Sequence, residues 1–123
     1  MTDTAEIVRR YWALANARDW AGFGALLAPD VVYEVPQTRE RVRGRDPYVE
    51  FNRTWPGAWH VEITELIAQP DRAVSVTAFH VDGQTMTGIC FFECRDGLIT
   101  RLTDWWPGNY DPPPRQTSVI ERW

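Results

Sequence analysis

The sequence predicts an α+β fold in which three helices from the first half of the chain wrap a curved antiparallel sheet. Apolar residues recur mostly at helical spacing up to about residue 54, whereas residues 60–106 form four strand-length segments. Turn signals separate these segments, and two of them, Asp82-Gly83 and Asp96-Gly97, are typical of tight hairpins. Strands joined by such turns pair antiparallel, and their separation from the helical half indicates the α+β class.

Capping signals and apolar spacing define the three helices. Asp3 is the expected N-cap of the first helix, whose apolar face carries Tyr11. The second helix begins at Asp19 and is expected to end at Pro29-Asp30. Asp46-Pro47 supplies a cap and a first-turn proline for the third helix, which runs to about Thr54.

Alternating apolar and polar residues predict strands at 31–35, 60–68, 73–81, 84–94 and 98–106. Between the first strand and the third helix, arginines at 39, 41, 43 and 45 indicate either an anion site or, as the preferred interpretation, a solvated strand or loop face. Three short helices packed across a strongly curved sheet cover its inner face incompletely, so a cone-like cavity is expected. The outer sheet face also needs cover, which predicts a homodimer with Trp105 at its interface.

Length and composition limit the class of protein. The 123 residues suit a single domain spanning 1–123, with 44% hydrophobic and 24% charged residues. The net charge of −4 and the lack of a basic face argue against nucleic-acid binding. No apolar run reaches the length of a membrane span, and the N-terminus lacks the apolar core of a secretory signal, so a cytoplasmic location is expected.

The sequence lacks the residues or motifs that several kinds of catalytic and binding site require. There is no lysine, which excludes lysine nucleophiles and Schiff bases. No phosphate loop or dinucleotide motif is present, so no cofactor is predicted. His60 and His80 have no cysteine or carboxylate at ligand spacing, and no metal site is expected. Cys90 and Cys94 lie too far apart along one strand for a disulfide and are interpreted as reduced thiols.

Asp104 is the main candidate for chemistry. It lies among large apolar side chains in the last strand, on the same face as Leu102 and Trp106. Burial would raise the pKa of its carboxyl above the ordinary value of about 3.9, so that it could take or give a proton near neutral pH. Two other interpretations remain open, namely a structural carboxylate hydrogen-bonded to Tyr11, Tyr33 or a backbone amide, and an exposed surface group.

Four segments give the chain a resemblance to a known superfamily over nearly its whole length. They are residues 11–20 (YWALANARDW), 26–36 (LLAPDVVYEVP), 44–45 and 96–99 (DGLI). In their order and spacing they resemble the nuclear-transport-factor-2-like superfamily, in its SnoaL-like group, and residues 36–45 together with the Trp106-Pro107 ending resemble a bacterial subgroup of it. The resemblance implies a cone-shaped α+β domain, usually dimeric, whose cavity hosts many unrelated functions.

The resemblance also implies which residues face the cavity. Asp104 and Tyr11 take the catalytic positions, as acid/base and as hydrogen-bond donor. The implied ligand-binding residues are mostly apolar, as is typical of a small-molecule site: Tyr33, Val35, Asn52, Phe79, Ile89, Phe91, Leu102 and Trp106. The resemblance also puts Thr77 toward the cavity. Residues 55–59 are expected to form a loop with two exposed tryptophans, Trp55 and Trp59, which are also candidate ligand-binding residues. Pro56-Gly57 between them would permit movement, so a lid is preferred over a dimer contact.

Three enzyme types of the superfamily fit to different degrees. Ketosteroid isomerases share the tyrosine at Tyr11, but their base and second donor fall at Val35 and Ile89, which argues against steroid isomerisation. Limonene-epoxide hydrolase shares the carboxylate at Asp104, yet residues 74–80 lack the arginine and aspartate that it needs. SnoaL-type polyketide cyclases require a last-strand aspartate in an apolar cavity, which Asp104 provides.

Two function classes therefore remain for a small apolar or aromatic ligand. The first is a cofactorless isomerase, cyclase or dehydratase in which Asp104 is the acid/base and Tyr11 donates to a substrate oxygen. The second is a non-catalytic module that binds a ligand or uses its outer sheet face to bind another protein. The identity of the ligand is not contained in the sequence.

Overall fold

The computed structural model describes residues 3–123, and the helices within this range all lie in the first half of the chain. Three helices and six strands follow in the order α1 (Thr4–Ala17), α2 (Trp20–Ala25), β1 (Leu27–Val35), β2 (Glu40–Arg43), α3 (Arg45–Arg53), β3 (His60–Ala68), β4 (Arg72–Val81), β5 (Gln84–Arg95) and β6 (Leu98–Trp105). The predicted α+β class is confirmed.

The strands form one curved, unclosed sheet in the order β2-β1-β6-β5-β4-β3. It is mixed, because β1 pairs with β6 in parallel, with Tyr33 opposite Leu102, while the other neighbouring strands pair antiparallel. The prediction of an entirely antiparallel sheet is wrong at this one pair. Turn signals describe consecutive strands, whereas β1 and β6 lie far apart in the chain and carry no such signal.

The N-cap residues set the first residues of helices α1 and α3. The Asp3 side chain accepts a hydrogen bond from the Ala5 amide and caps α1, as predicted. Helix α3 begins earlier than expected, because Gly44 is its N-cap with a φ of 96°. Asp46 and Pro47 thus lie inside the first turn, where a missing proline N–H costs nothing since the first helical amides have no partner.

The end of α2 also differs from the prediction. The helix ends at Ala25, and Leu27 already belongs to β1, where it pairs with Ile99. The Ile99 amide donates to the Leu26 carbonyl at 2.8 Å, which fixes this junction against β6. Pairing with a strand from the other end of the chain therefore overrides the local helical pattern before Pro29.

The helices cover one face of the sheet, and the core lies between them and that face. Fully buried side chains there include Ile7, Phe23, Leu27, Phe92 and Leu102. Arg39, Arg41 and Arg43 are exposed in or beside β2, as the preferred interpretation predicted. Arg45 differs, because it begins α3 and donates to the Leu27 carbonyl. In the part of the chain from residue 3 to 123, no helix combines the length and the hydropathy that a membrane crossing needs.

Candidate functional site

An aromatic cavity lies between α1, α3 and the inner face of the sheet. Its free volume is about 40 Å³. The only charged group in its lining is Asp104, and most of the remaining side chains are aromatic. The lining consists of Tyr11, Trp12, Tyr33, Tyr48, Phe51, Asn52, Trp55, Trp59, Phe79, Asp104 and Trp106.

The carboxyl group of Asp104 is buried at the base of this cavity. Only 8% of the residue is exposed, and Tyr33 donates its hydroxyl to Asp104 Oδ2 at 2.5 Å. Burial raises the pKa of Asp104 to about 6, and the Tyr33 hydroxyl and the Cys90 thiol lower it by a smaller amount. Asp104 can therefore be present in both protonation states close to neutral pH.

Two further tyrosines form a second hydrogen-bonded pair. The hydroxyl oxygens of Tyr11 and Tyr48 lie 2.5 Å apart, and both residues are about 1% exposed. Burial, and to a lesser extent neighbouring acidic groups, raise the pKa of each phenol well above its ordinary value, so both stay neutral. One hydroxyl donates to the other, which leaves one phenolic proton available to an acceptor in the cavity.

Ring stacking connects the two pairs. The Tyr33 and Tyr48 rings stack with centroids 4.7 Å apart, so the carboxylate pair and the tyrosine pair are neighbours in space. The elements that hold them are distant in sequence, because Tyr11 comes from α1, Tyr33 from β1, Tyr48 from α3 and Asp104 from β6. The cavity thus combines a proton acceptor with a neutral hydrogen-bond donor.

Eight of the predicted site residues line this cavity together. They are Tyr11, Tyr33, Asn52, Trp55, Trp59, Phe79, Asp104 and Trp106. Val35 and Leu102 point to the same side of the sheet but are buried in the hydrophobic core, outside the lining. Their predicted contact with a ligand is therefore not provided by this arrangement.

Ile89 and Phe91 lie on the opposite face of the sheet, and their predicted position in the cavity is wrong. Phe91 is 45% exposed, whereas its neighbours Cys90 and Phe92 are buried. Cys90 pairs with Asp104 across β5 and β6, which puts Cys90 on the inner face. Because side chains alternate along a strand, an error of one residue moves every side chain to the wrong face.

Sequence reasoning missed Trp12, Tyr48 and Phe51 in the lining, and Cys90 beside Asp104. A usable signal existed for α3. Tyr48, Phe51, Asn52 and Trp55 recur at positions i, i+3, i+4 and i+7, the spacing of a single helix face. Trp12 follows Tyr11 directly, and its indole N–H donates to Ser75 Oγ at 3.1 Å.

The two loop tryptophans differ in how firmly they are held. Trp59 is 7% exposed, stacks on Phe79 with centroids 5.8 Å apart, and has the Arg18 guanidinium 3.7 Å from its ring centroid. Trp55 is 36% exposed and makes edge contacts with Phe51 and Phe79. The sequence treated both as exposed loop residues, and this is wrong for Trp59.

No cluster of three or more histidine, cysteine, aspartate or glutamate residues that could hold a metal ion occurs among residues 3–123.

A family model described as the SnoaL-like domain matches residues 8–102. The chain belongs to this SnoaL-like family. The superfamily suggested by the sequence is therefore confirmed. None of the curated proteins matches this SnoaL-like chain.

Solved structures support the same fold. A candidate ketosteroid isomerase from Kribbella flavida DSM 17836 is 41% identical, with a TM-score of 0.91 over 97% of this chain and 88% of that one. A nuclear-transport-factor-2-like protein of unknown function from Cytophaga hutchinsonii ATCC 33406 is 12% identical, with a TM-score of 0.74 over 87% of this chain and 93% of that one. An LEH-like epoxide hydrolase from M. tuberculosis is 21% identical, with a TM-score of 0.70 over 84% and 81%. The last two show the fold alone.

Proposed function

We propose that this SnoaL-like protein binds a small apolar or aromatic carbonyl compound and moves a proton next to its carbonyl group without a cofactor. The observation that carries the proposal is the buried Asp104 carboxyl, whose pKa of about 6 lies close to neutral pH within an aromatic cavity. The similarity to a candidate ketosteroid isomerase gives independent support for isomerase-type chemistry.

The roles follow from the two hydrogen-bonded pairs. Ionised Asp104 accepts a proton from the carbon beside the carbonyl, and the electron pair of the broken C–H bond moves into an enolate. The free phenolic proton of the Tyr11–Tyr48 pair donates a hydrogen bond to the enolate oxygen, where negative charge develops. Return of the proton from Asp104 to a different carbon completes an isomerisation, and loss or attack of a neighbouring group gives dehydration or cyclisation.

This arrangement needs only one carboxylate. Val35 occupies the position implied for the base of ketosteroid isomerases, and it is buried among apolar side chains. Ile89, at the position implied for the second donor, faces outward, and the inward residue of β5 beside Asp104 is Cys90. The proposal therefore assigns proton transfer to Asp104 and leaves the steroid-type base without a counterpart.

A second candidate function is a non-catalytic module. Asp104 already accepts a hydrogen bond from Tyr33, which is what a purely structural carboxylate would need. The outer sheet face presents exposed Phe91, Trp105 and Ile67, and a groove of about 260 Å³ runs beside Phe91 and Ile67. We infer that this outer face forms a homodimer, whether the protein is an enzyme or a non-catalytic module. The cytoplasmic location stays a prediction.

Hydrogen–deuterium exchange tests the proposal without knowledge of the natural substrate. Acetophenone and cyclohexanone are incubated with the protein in D₂O, and loss of the proton signals beside the carbonyl is followed by NMR. The wild-type protein should accelerate exchange of at least one ketone. Asp104→Asn should abolish the acceleration, and Asp111→Asn, at a carboxylate that is 96% exposed, should leave it unchanged.

Binding distinguishes the two candidate functions. If the ketone raises the melting temperature of the wild type and of Asp104→Asn alike, but neither protein exchanges its protons, the non-catalytic module is favoured. Exchange that persists in Asp104→Asn would contradict the role of Asp104. An enzyme should lose exchange while it keeps ligand binding, because the amide preserves the size of the side chain.

A further inference from the structure

The cavity is small because large aromatic side chains line it on most sides. Its free volume of about 40 Å³ is well below the several hundred cubic ångströms of typical ligand pockets. Five members of the lining are at least partly exposed, namely Trp12, Phe51, Asn52, Trp55 and Trp106, whereas Trp59 is buried. Trp55 is the most exposed of the five, at 36%. A ring-sized ligand can enter only if one of these side chains moves.

Trp106 is held on two sides. The Gln37 side chain makes a double hydrogen bond with its backbone, donating from Nε2 to the Trp106 carbonyl at 3.1 Å and accepting from the Trp106 amide at 2.6 Å. The Trp106 ring also meets Phe79 edge-to-face, with centroids 5.5 Å apart. The β1–β2 turn therefore fixes the backbone of Trp106, although this residue lies beyond the end of β6.

The Trp106 ring packs directly against the backbone of Gly88. A Cβ atom at this position would lie 3.3 Å from Trp106 Cζ3 and 2.9 Å from Thr77 Oγ1. Only a residue without a side chain leaves room for the indole to lie this close to β5. The hydrogen bonds from Gln37 hold the Trp106 backbone, and close packing against Gly88 holds its ring. Together these contacts fix Trp106 in the wall of the cavity.

Trp55 lacks comparable restraints. Its ring makes edge contacts with Phe51 at 5.4 Å and Phe79 at 6.4 Å, and no side-chain hydrogen bond of Trp55 is found within residues 3–123. The following loop is firmly seated, because a Cβ atom on Gly57, whose φ is 90°, would lie 2.7 Å from Val81 Cγ2. Opening thus requires rotation of the Trp55 side chain rather than movement of the loop.

We propose that Trp106 determines specificity by limiting the ligand to a carbonyl compound with a single ring, which enters when the Trp55 side chain swings outward. The space vacated by one indole, added to the small existing cavity, accommodates one ring beside Asp104. It does not accommodate the four fused rings of a steroid. This inference rests on the proposed function, since it describes the ligand of the same site.

Binding of two ketones of different size tests the inference. Affinities for acetophenone, which has one ring, and progesterone, which has four fused rings, are measured by titration calorimetry. The wild type should bind progesterone at least about tenfold more weakly than acetophenone. Trp106→Ala should bind progesterone about tenfold more tightly than the wild type, with little change for acetophenone. Trp123→Ala, at a fully exposed tryptophan, is the matched control and should behave as the wild type.

Trp106→Phe provides a second variant if the alanine variant does not fold, as judged by its circular dichroism and melting curve. The phenyl ring is smaller than the indole, so an intermediate gain in progesterone affinity is expected. Equal binding of the two ketones by the wild type, binding of neither, or progesterone affinities unchanged in a folded Trp106 variant would overturn the inference. A wild type that binds acetophenone selectively but exchanges no deuterium would reject the proposed proton transfer and still support the size limit.

Discussion

Tyr33 and Asp104 are joined by a 2.5 Å hydrogen bond across the one parallel strand pair of the sheet. Tyr33 lies opposite Leu102 in this pairing, and Asp104 is two residues further along β6 on the same face. Burial raises the pKa of the Asp104 carboxyl, and the Tyr33 hydroxyl opposes this shift because it stabilises the ionised form. The balance leaves a pKa of about 6.

Removal of the Tyr33 hydroxyl should raise the pKa of Asp104 further. In Tyr33→Phe the carboxylate loses the donor that stabilises its charge, so the pH midpoint of ketone exchange should move above that of the wild type. The midpoint is measured as exchange rate against pH in D₂O. Tyr110→Phe, at a residue that is 84% exposed, should keep the wild-type midpoint. A midpoint that is unchanged or lower in Tyr33→Phe would contradict this prediction.

Asp104 should make the stability of the protein depend on pH. Its pKa is about 6 in the folded state against an ordinary value of 3.8, so the folded state binds this proton more tightly than the unfolded state. The resulting stabilisation is present below about pH 4 and is lost as the pH rises through 6, with a total change of about 3 kcal/mol. Urea unfolding of the wild type and Asp104→Asn at several pH values measures it.

The quantity to compare is the difference in unfolding free energy between the wild type and Asp104→Asn. It should shift against the wild type between about pH 4 and 6 and stay constant at higher pH. Asp111→Asn, at a carboxylate that is 96% exposed, is the matched control measured alongside it. A constant difference for Asp104→Asn across the whole range would show that Asp104 titrates alike in both states.

The Tyr11–Tyr48 pair should behave as a coupled unit. Tyr48→Phe removes one hydroxyl and leaves the buried Tyr11 hydroxyl without its partner, at a cost of about 1–3 kcal/mol. The double variant Tyr11→Phe, Tyr48→Phe should cost less than the sum of the two single changes, because neither hydroxyl then remains unpaired. Urea unfolding of the four proteins gives the coupling free energy. Additive costs would contradict the pairing.

A charge on the outer sheet face should prevent dimer formation. Phe91→Arg would bury an unpaired guanidinium in the expected interface, which association cannot tolerate. Light scattering at micromolar concentration should therefore report a dimer for the wild type and a monomer for the variant. Tyr110→Arg adds the same charge outside the sheet and should remain dimeric. A monomeric wild type would reject the dimer itself.

Strand β5 shows why part of the candidate site could not be predicted. Four consecutive residues, Ile89, Cys90, Phe91 and Phe92, are all apolar, so alternation gives no indication of which face is buried. The pairing of Cys90 with Asp104 makes that choice. In β6 the sequence does indicate the buried face, since the polar Arg101 and Thr103 flank the apolar Leu102, and Asp104 lies on the same face as Leu102.

The α+β class, most of the helices and strands, and eight residues of the cavity lining could be predicted from the sequence. These properties follow from local spacing, capping and turns, or from motifs that can be compared along the chain. Three features became visible only in the folded domain: the parallel pairing of β1 with β6, the hydrogen bond between Tyr48 and Tyr11, and the hydrogen bonds of Gln37 to the Trp106 backbone. Each of these joins residues distant in the chain, and local patterns carry no information about such contacts because only packing of the whole domain brings them together.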